Sequence, residues 1–270
     1  MSQEHRIPAV DRAVAVLDAL AGHREGLAFA ELARQCGLSR TTGYRLLGAM
    51  AEAGLVRRGR SGCYLLGPRL LGLAAAALAG MGVGDLVAVA RPHLERLSAV
   101  TGEASKLSIL DQGQAMCVEA VAGAKPYALS PMSAQWFPLH AGAASKVLLA
   151  AMPVAARAAI VNGPLERFSE RTLCDADDLG RELEAVTGQG WAEDRGEHSP
   201  SVCALAAAVR GAGGAVVATV SMAYVAERHE AMKRLHLDDL RRCCAAIGAD
   251  LAAAPMPRAP GLPGPAGRAA

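Results

Sequence analysis

Two arginine clusters near the start of the chain have the residue types that meet nucleic acid. Ser39, Arg40, Thr41, Thr42 and Arg45 follow the pair Gly37-Leu38, and Arg57, Arg58 and Arg60 fall within four positions beside glycines. Arginine forks onto guanine O6 and N7, while threonine meets base edges or the thymine methyl group. A helix start adds free N–H groups and a positive dipole, both suited to phosphate. Arginines on a turn suit flanking phosphates or the minor groove. Taken singly, each cluster is equally a solvated surface. Together, in this order, they point to duplex DNA. Tyr44, on the same stretch, is either core filler or a phosphate contact.

These residues need elements to hold them. Residues 8–21 begin with proline and carry Val10, Val14, Leu17 and Leu20 at helical spacing, which predicts an amphipathic helix. A second short helix is expected over 28–36, with Phe29, Leu32 and Ala33 inward. Gly37 makes the turn, and the Ser39 hydroxyl can cap a third helix over about 40–53. Its inward stripe is read as Tyr44, Leu47 and Met50, and Gly54 ends it. Residues 55–66 then read as two short strands around the basic turn. Helix, helix, tight turn, helix and basic hairpin is the layout of a winged helix-turn-helix.

The rest of the chain is of another kind. Residues 1–80 hold ten arginines, no lysine and six acids, a net of +4, whereas the remainder is net −2. A small basic front tied to a larger, slightly acidic back suggests an anion-binding module joined to something else. Residues 68–84 read as a connecting helix rich in Ala and Leu that offers a dimer seam. Beyond it, 85–100 reads as helix, 106–110 and 116–121 as a hairpin around Asp111-Gln112-Gly113-Gln114, and 141–151, 153–162 and 175–188 as helices. A second hairpin spans 202–209 and 215–225, a last helix covers about 228–253, and the Pro- and Gly-rich residues 255–270 are expected to be a disordered tail.

Composition narrows the options. The 270 residues are 52% hydrophobic with mean hydropathy +0.21, enough for a core, but only 3% aromatic, so Ala, Leu and Val must do the packing. The apolar run 70–84 is shorter than the roughly 20 residues of a membrane span. No cationic start precedes an apolar segment, so no signal peptide and a cytoplasmic location are expected. Seven cysteines, an odd number with no CxxC pair, read as reduced thiols, and the scattered histidines show no metal-ligand spacing. Neither a metal nor a cofactor is expected.

Several stretches, in order, resemble the IclR-type bacterial transcription regulators over about residues 8–253. They are Val10-Asp11-Arg12-Ala13-Val14-Ala15-Val16-Leu17, the run from Leu32 to Thr42, Tyr64-Leu65-Leu66-Gly67, the run from Pro138 to Ala150, and Gly190-Trp191-Ala192-Glu193-Asp194. The resemblance implies an α+β chain. An N-terminal all-α winged helix-turn-helix (1–67), whose wing is the two short strands, leads through a linker helix (68–84) to a mixed α/β GAF-like effector-binding domain (85–254). It further implies a homodimer or dimer of dimers on double-stranded, pseudo-palindromic operator DNA, and a small organic effector, often a carboxylate. Carried over by position, the effector residues are Ala141, Gly142, Asp194, Val202, Ala204 and Ser221. The sequence adds support at 138–146, where His140 leads into small residues whose helix-start N–H groups a carboxylate can reach. Close helix packing is the alternative there, as a surface acid is for Asp194.

The sequence also departs from the family pattern. Ser201 replaces a usual Gly, Ala204 a Cys, Ala208 a Pro, Ala223 a Ser and Ser145 a Gly. Two polar pocket groups are thereby lost, so a larger or less polar ligand than the shortest keto acids is expected. The rival reading is a GAF-like enzyme or a thiol redox sensor, using Cys203 with His198, or Cys243-Cys244.

Overall fold

The structure is a computed structural model that describes residues 7–23, 25–59, 61–80, 83–125, 128–129 and 135–253. Arg60 and the expected tail lie outside the described residues. The chain divides into two compact units, Met1–Gly84 and Asp85–Ala270. Among the described residues no helix is long and apolar enough to cross a membrane.

In the first unit, α1 (Pro8–Ala21), α2 (Phe29–Gln35) and α3 (Arg40–Glu52) precede an antiparallel ribbon of β1 (Val56–Arg58) and β2 (Tyr64–Leu66), and α4 (Arg69–Gly80) follows. Val16, Leu20, Leu32, Leu47, Met50, Val56 and Tyr64 form its buried centre. Two expected stripes are corrected. On α1 the core takes Val16 and Leu20, flanked by Ala13 and Leu17, whereas Val10 and Val14 are 56% and 50% exposed. This helix is apolar nearly all round, so periodicity finds the helix but not its buried face. On α3 the inward residue of the first turn is Gly43, not Tyr44. The Phe29 ring fills that space: a Cβ on Gly43 would lie 3.0 Å from two of its ring carbons. Tyr44 is displaced outward and stacks on the same ring, centroids 4.0 Å apart.

The second unit is a six-stranded antiparallel sheet in the order β5-β4-β3-β8-β7-β6. Its strands are β3 (Ala104–Asp111), β4 (Gln114–Val121), β5 (Trp136–Phe137), β6 (Trp191–Asp194), β7 (Val202–Arg210) and β8 (Val216–Val225). Side chains alternate between its two faces. One face carries Ala192 and Ala206, and α6 (Ala143–Ala150) packs on it, backed by α8 (Ala176–Gln189). Because the buried strand residues here are the alanines Ala115, Ala192 and Ala206, the helix can lie close to the sheet. The other face carries α9 (His229–Ala253), where Cys244 Sγ donates to the Ala207 carbonyl at 3.4 Å, and α5 (Gly84–Thr101), whose Leu94 carbonyl accepts from Ser105 Oγ at 3.1 Å. The helix α7 (Val154–Val161) completes the unit. The expected hairpins are present; β5 and β6 were not foreseen.

The packing at α3 gives a paired prediction. Gly43→Leu must expel the Phe29 ring, and its overpacking cost of about 1–3 kcal/mol outweighs the roughly 1 kcal/mol gain in helix propensity. Gly48→Ala, with open space around its Cβ, gains stability by up to that propensity difference. Urea denaturation followed by circular dichroism separates the two.

Candidate functional site

Two surfaces collect the residues singled out above, one in each unit. In the first, Ser39 caps α3: its Oγ accepts from the Thr42 N–H at 3.3 Å and donates to Thr42 Oγ1 at 2.9 Å. The two hydroxyls are engaged with each other at the helix start. Arg40, Thr41, Tyr44 and Arg45 are exposed and, at helical spacing, share one face of α3. Neither arginine has a carboxylate partner among the described residues. Arg57 and Arg58 project from β1, and the Arg58 guanidinium lies 5.3 Å from the centre of the Tyr64 ring. The loop joining the strands closes with the Gly59 N–H donating to the Cys63 carbonyl at 2.8 Å.

In the second unit, a cavity of about 330 Å³ opens between the sheet and the start of α6. Strands β6, β7 and β8 contribute Asp194, Val202, Ala204 and Ser221, and the turn into α6 contributes Ala141 and Gly142. All six residues carried over by position are therefore brought together. His140 is not in this wall. It is buried beneath it, with Nε2 donating to the Glu166 carbonyl at 2.8 Å and its ring 5.7 Å from Phe168. Phe168 in turn lies 5.0 Å from His198, so His140 supports the wall through a row of rings.

The geometry at the start of α6 is set by Gly142, whose φ of +107° suits only glycine. Its N–H is not bare, as the small-residue turn suggested, but donates to Glu197 Oε2 at 3.3 Å. Glu197 Oε1 accepts from the buried Lys146 ammonium at 2.6 Å, and Lys146 also donates to Glu182 at 2.8 Å. Asp194 Oδ1 accepts the N–H groups of Gly196 and Glu197 at 2.9 and 2.7 Å, folding the loop after β6. Burial raises the Asp194 and Glu197 carboxyls above the ordinary carboxylate range, against the pull of backbone N–H groups and Lys146. On the opposite face of β6, burial would also raise Glu193. Hydrogen bonds from Lys233, Arg195 and His229 outweigh it and hold that carboxyl at about 2.

The cavity also recruits residues that the sequence reading missed. They are Lys106 and Ser108 of β3, Phe137 of β5, and His198 with Ser199 in the loop after β6. A lysine within a strand of otherwise small or apolar residues, Ala104–Ile109, was the available signal. The thiol rivals lack geometry and activation. Cys203 is register partner to Tyr224 and points to the face opposite Val202 and Ala204, and burial pushes its thiol up to about 11. Burial does the same to Cys243. A reactive thiol needs the reverse shift.

Residues 79–249 match the family described as Bacterial transcriptional regulator IclR C-terminal, and residues 9–60 match the IclR helix-turn-helix domain. The chain belongs to the IclR family. It is 35% identical over 225 residues to the HTH-type transcriptional regulator Rv1719 of Mycobacterium tuberculosis, covering 82% of this chain and 84% of that one. It is 30% identical over 251 residues to the glycerol operon regulatory protein of Streptomyces coelicolor, covering 92% and 97%. An IclR homolog from Microbacterium hydrocarbonoxydans, solved in complex with 4-hydroxybenzoate, superposes with a TM-score of 0.66 at 26% identity, covering 91% of this chain and 100% of that one. This protein is accordingly a DNA-binding transcriptional regulator of the IclR family, with the α3 surface and the cavity as its two candidate sites.

Two measurements test the cavity's frame. Gly142→Ala places a Cβ where φ is +107°, and a loss of about 1–2 kcal/mol is expected in chemical denaturation. Glu193 titrates lower in the folded protein than in the unfolded chain. Its contribution is therefore full above about pH 4.5 and is lost as pH falls through about 2. Glu193→Gln should remove on the order of 1–2 kcal/mol of stability at neutral pH and flatten the acid limb of the melting-temperature profile between those values.

Proposed function

We propose that this protein is a repressor of a metabolic operon that binds a pseudo-palindromic operator as a dimer or dimer of dimers and responds to a small organic acid held in the cavity. The observation that carries this reading is the exposed face of α3, where Arg40 and Arg45 stand beside Thr41 with no carboxylate partner among the described residues. Arg34 on α2, by contrast, is tied to Glu31. Laid in the major groove, this face lets Arg40 and Arg45 read guanine while Thr41 meets a neighbouring base. Ser39 and Thr42 fix the helix start, and Tyr44 offers a hydroxyl to phosphate. Arg57, Arg58 and Arg60 follow the flanking backbone.

Pairing of two chains is supported by apolar side chains left open in the first unit. Leu71 is 76% exposed and Leu73 48% exposed on α4, and Ile7, Val10 and Val14 are exposed at the start of α1. A dimer places two α3 helices in successive major grooves, roughly 34 Å apart. The named role of the Streptomyces relative supports an operon as target, and the complex of the Microbacterium homolog supports an organic acid as effector. The alanines at 204 and 223 favour a larger or less polar acid than glyoxylate. No metal or other cofactor enters this reading.

A mobility-shift titration on the DNA upstream of the protein's own gene tests it. Binding at low salt is expected, with release in the presence of cell metabolite extract. Arg45→Ala should weaken binding by about 1–3 kcal/mol and relax the preference at one base pair, whereas Arg57→Ala should weaken all sequences alike and lower the salt slope by about one. Absence of binding at low salt, with and without extract, overturns the proposal.

A further inference from the structure

Lys106 lies on the cavity floor, and its placement bears on which way a ligand lies. Lys106 of β3 stands opposite Ser221 of β8, and Ser108, two residues on, stands opposite Thr219. Residues two apart share a face, so these four side chains form one polar block on the cavity side of the sheet. Lys106, Ser108 and Ser221 line the cavity. Thr219 is wholly buried beside them, and its Oγ1 is an unpartnered buried side-chain oxygen among the described residues. Lys106 makes no ion pair among the described residues, and its ammonium lies 5.5 Å from the centre of the Phe137 ring. The ring face leaves the charge of this half-buried ammonium unneutralised, so an anion in the cavity can meet it.

The other end of the cavity has the opposite character. Asp194 is buried there, with Oδ1 held by two backbone N–H groups and Oδ2 turned toward Gly142. Glu197 stands just behind and already accepts the Gly142 N–H. An anion placed at the start of α6 would stand beside Asp194 and in front of Glu197, whereas Lys106 has no carboxylate partner among the described residues. Strands β3 and β6 are separated by β8 and β7, three strand spacings or about 14 Å along the sheet.

We propose that Lys106, with Ser108 and Ser221, is the anion-recognising end of the effector site, and that Asp194 reads a hydroxyl at the far end. The effector is then an elongated hydroxy acid with an apolar body, bound with its carboxylate on the sheet floor and not at the helix start. This rests on the reading of the cavity as the effector site.

Calorimetric titration of the full chain tests it, with 4-hydroxybenzoate, 6-hydroxyhexanoate and the amide of each as probes. At least one acid is expected to bind at least tenfold more tightly than its amide. Lys106→Met should weaken that acid by tenfold or more, leave the amide within twofold and leave the melting temperature of the free protein unchanged or raised. Lys106→Arg should keep most of the preference. Asp194→Asn should weaken the hydroxy acid more than benzoate or hexanoate. Equal binding of acid by the Lys106→Met variant, equal loss of acid and amide, or no binding of either acid by the unaltered protein overturns the proposal. The titration contains no DNA, so such a failure leaves the regulator reading to its own mobility-shift test.

Discussion

Glu197 ties the start of α6 to the loop after β6, and the cavity exists because of that tie. Its carboxylate holds the Gly142 N–H on one side and the Lys146 ammonium on the other, at 3.3 and 2.6 Å. Taking a carboxylate and an ammonium out of water is unfavourable unless each finds further partners. Here Lys146 gains Glu182, and the Glu197 backbone N–H is held by Asp194. Buried charge therefore fixes what alanine contacts alone leave free, namely the height of the helix start above the sheet. Asp194 belongs to both systems: one oxygen folds the loop, and the other faces Gly142 at the cavity.

The first unit depends on a smaller constraint. Gly43 admits the Phe29 ring beneath α3, and that ring then carries Tyr44 on its outer side. The arginines of α3 face solvent because the opposite side of the helix is committed to Leu47 and Met50. The serine cap at the helix start needs only Ser39 and Thr42, so Arg40 and Thr41 between them stay open.

Much of this was legible in the residues. The Pro8 start and the Gly22 end bounded α1 at Pro8–Ala21 as expected, and Gln112-Gly113 joined β3 to β4. Helix faces were less legible wherever the helix was apolar all round, as at Val10 and Val14. Tyr44 misled because the residue that is truly inward has no side chain. The strand β6 was hidden because Trp191-Ala192-Glu193-Asp194 mixes charge with apolar residues. Its acids are matched from two sides, Glu193 by Lys233 and His229 and Asp194 by backbone N–H groups. Lys106 was missed because its meaning lies in a cross-strand partner, Ser221, far away in sequence. The six cavity residues that were anticipated came from the resemblance; His140, beside them in sequence, turned the other way.

The division of labour around the cavity also decides where this protein can change. Ala204 and Ala223 sit opposite one another on β7 and β8 and present only methyl groups to the space above them. Neither takes part in the Gly142–Glu197–Lys146 tie. Other side chains at these two positions would reshape the chamber without touching that tie. Evolution, or an engineer building a biosensor, has two adjustable tiles in an otherwise fixed floor.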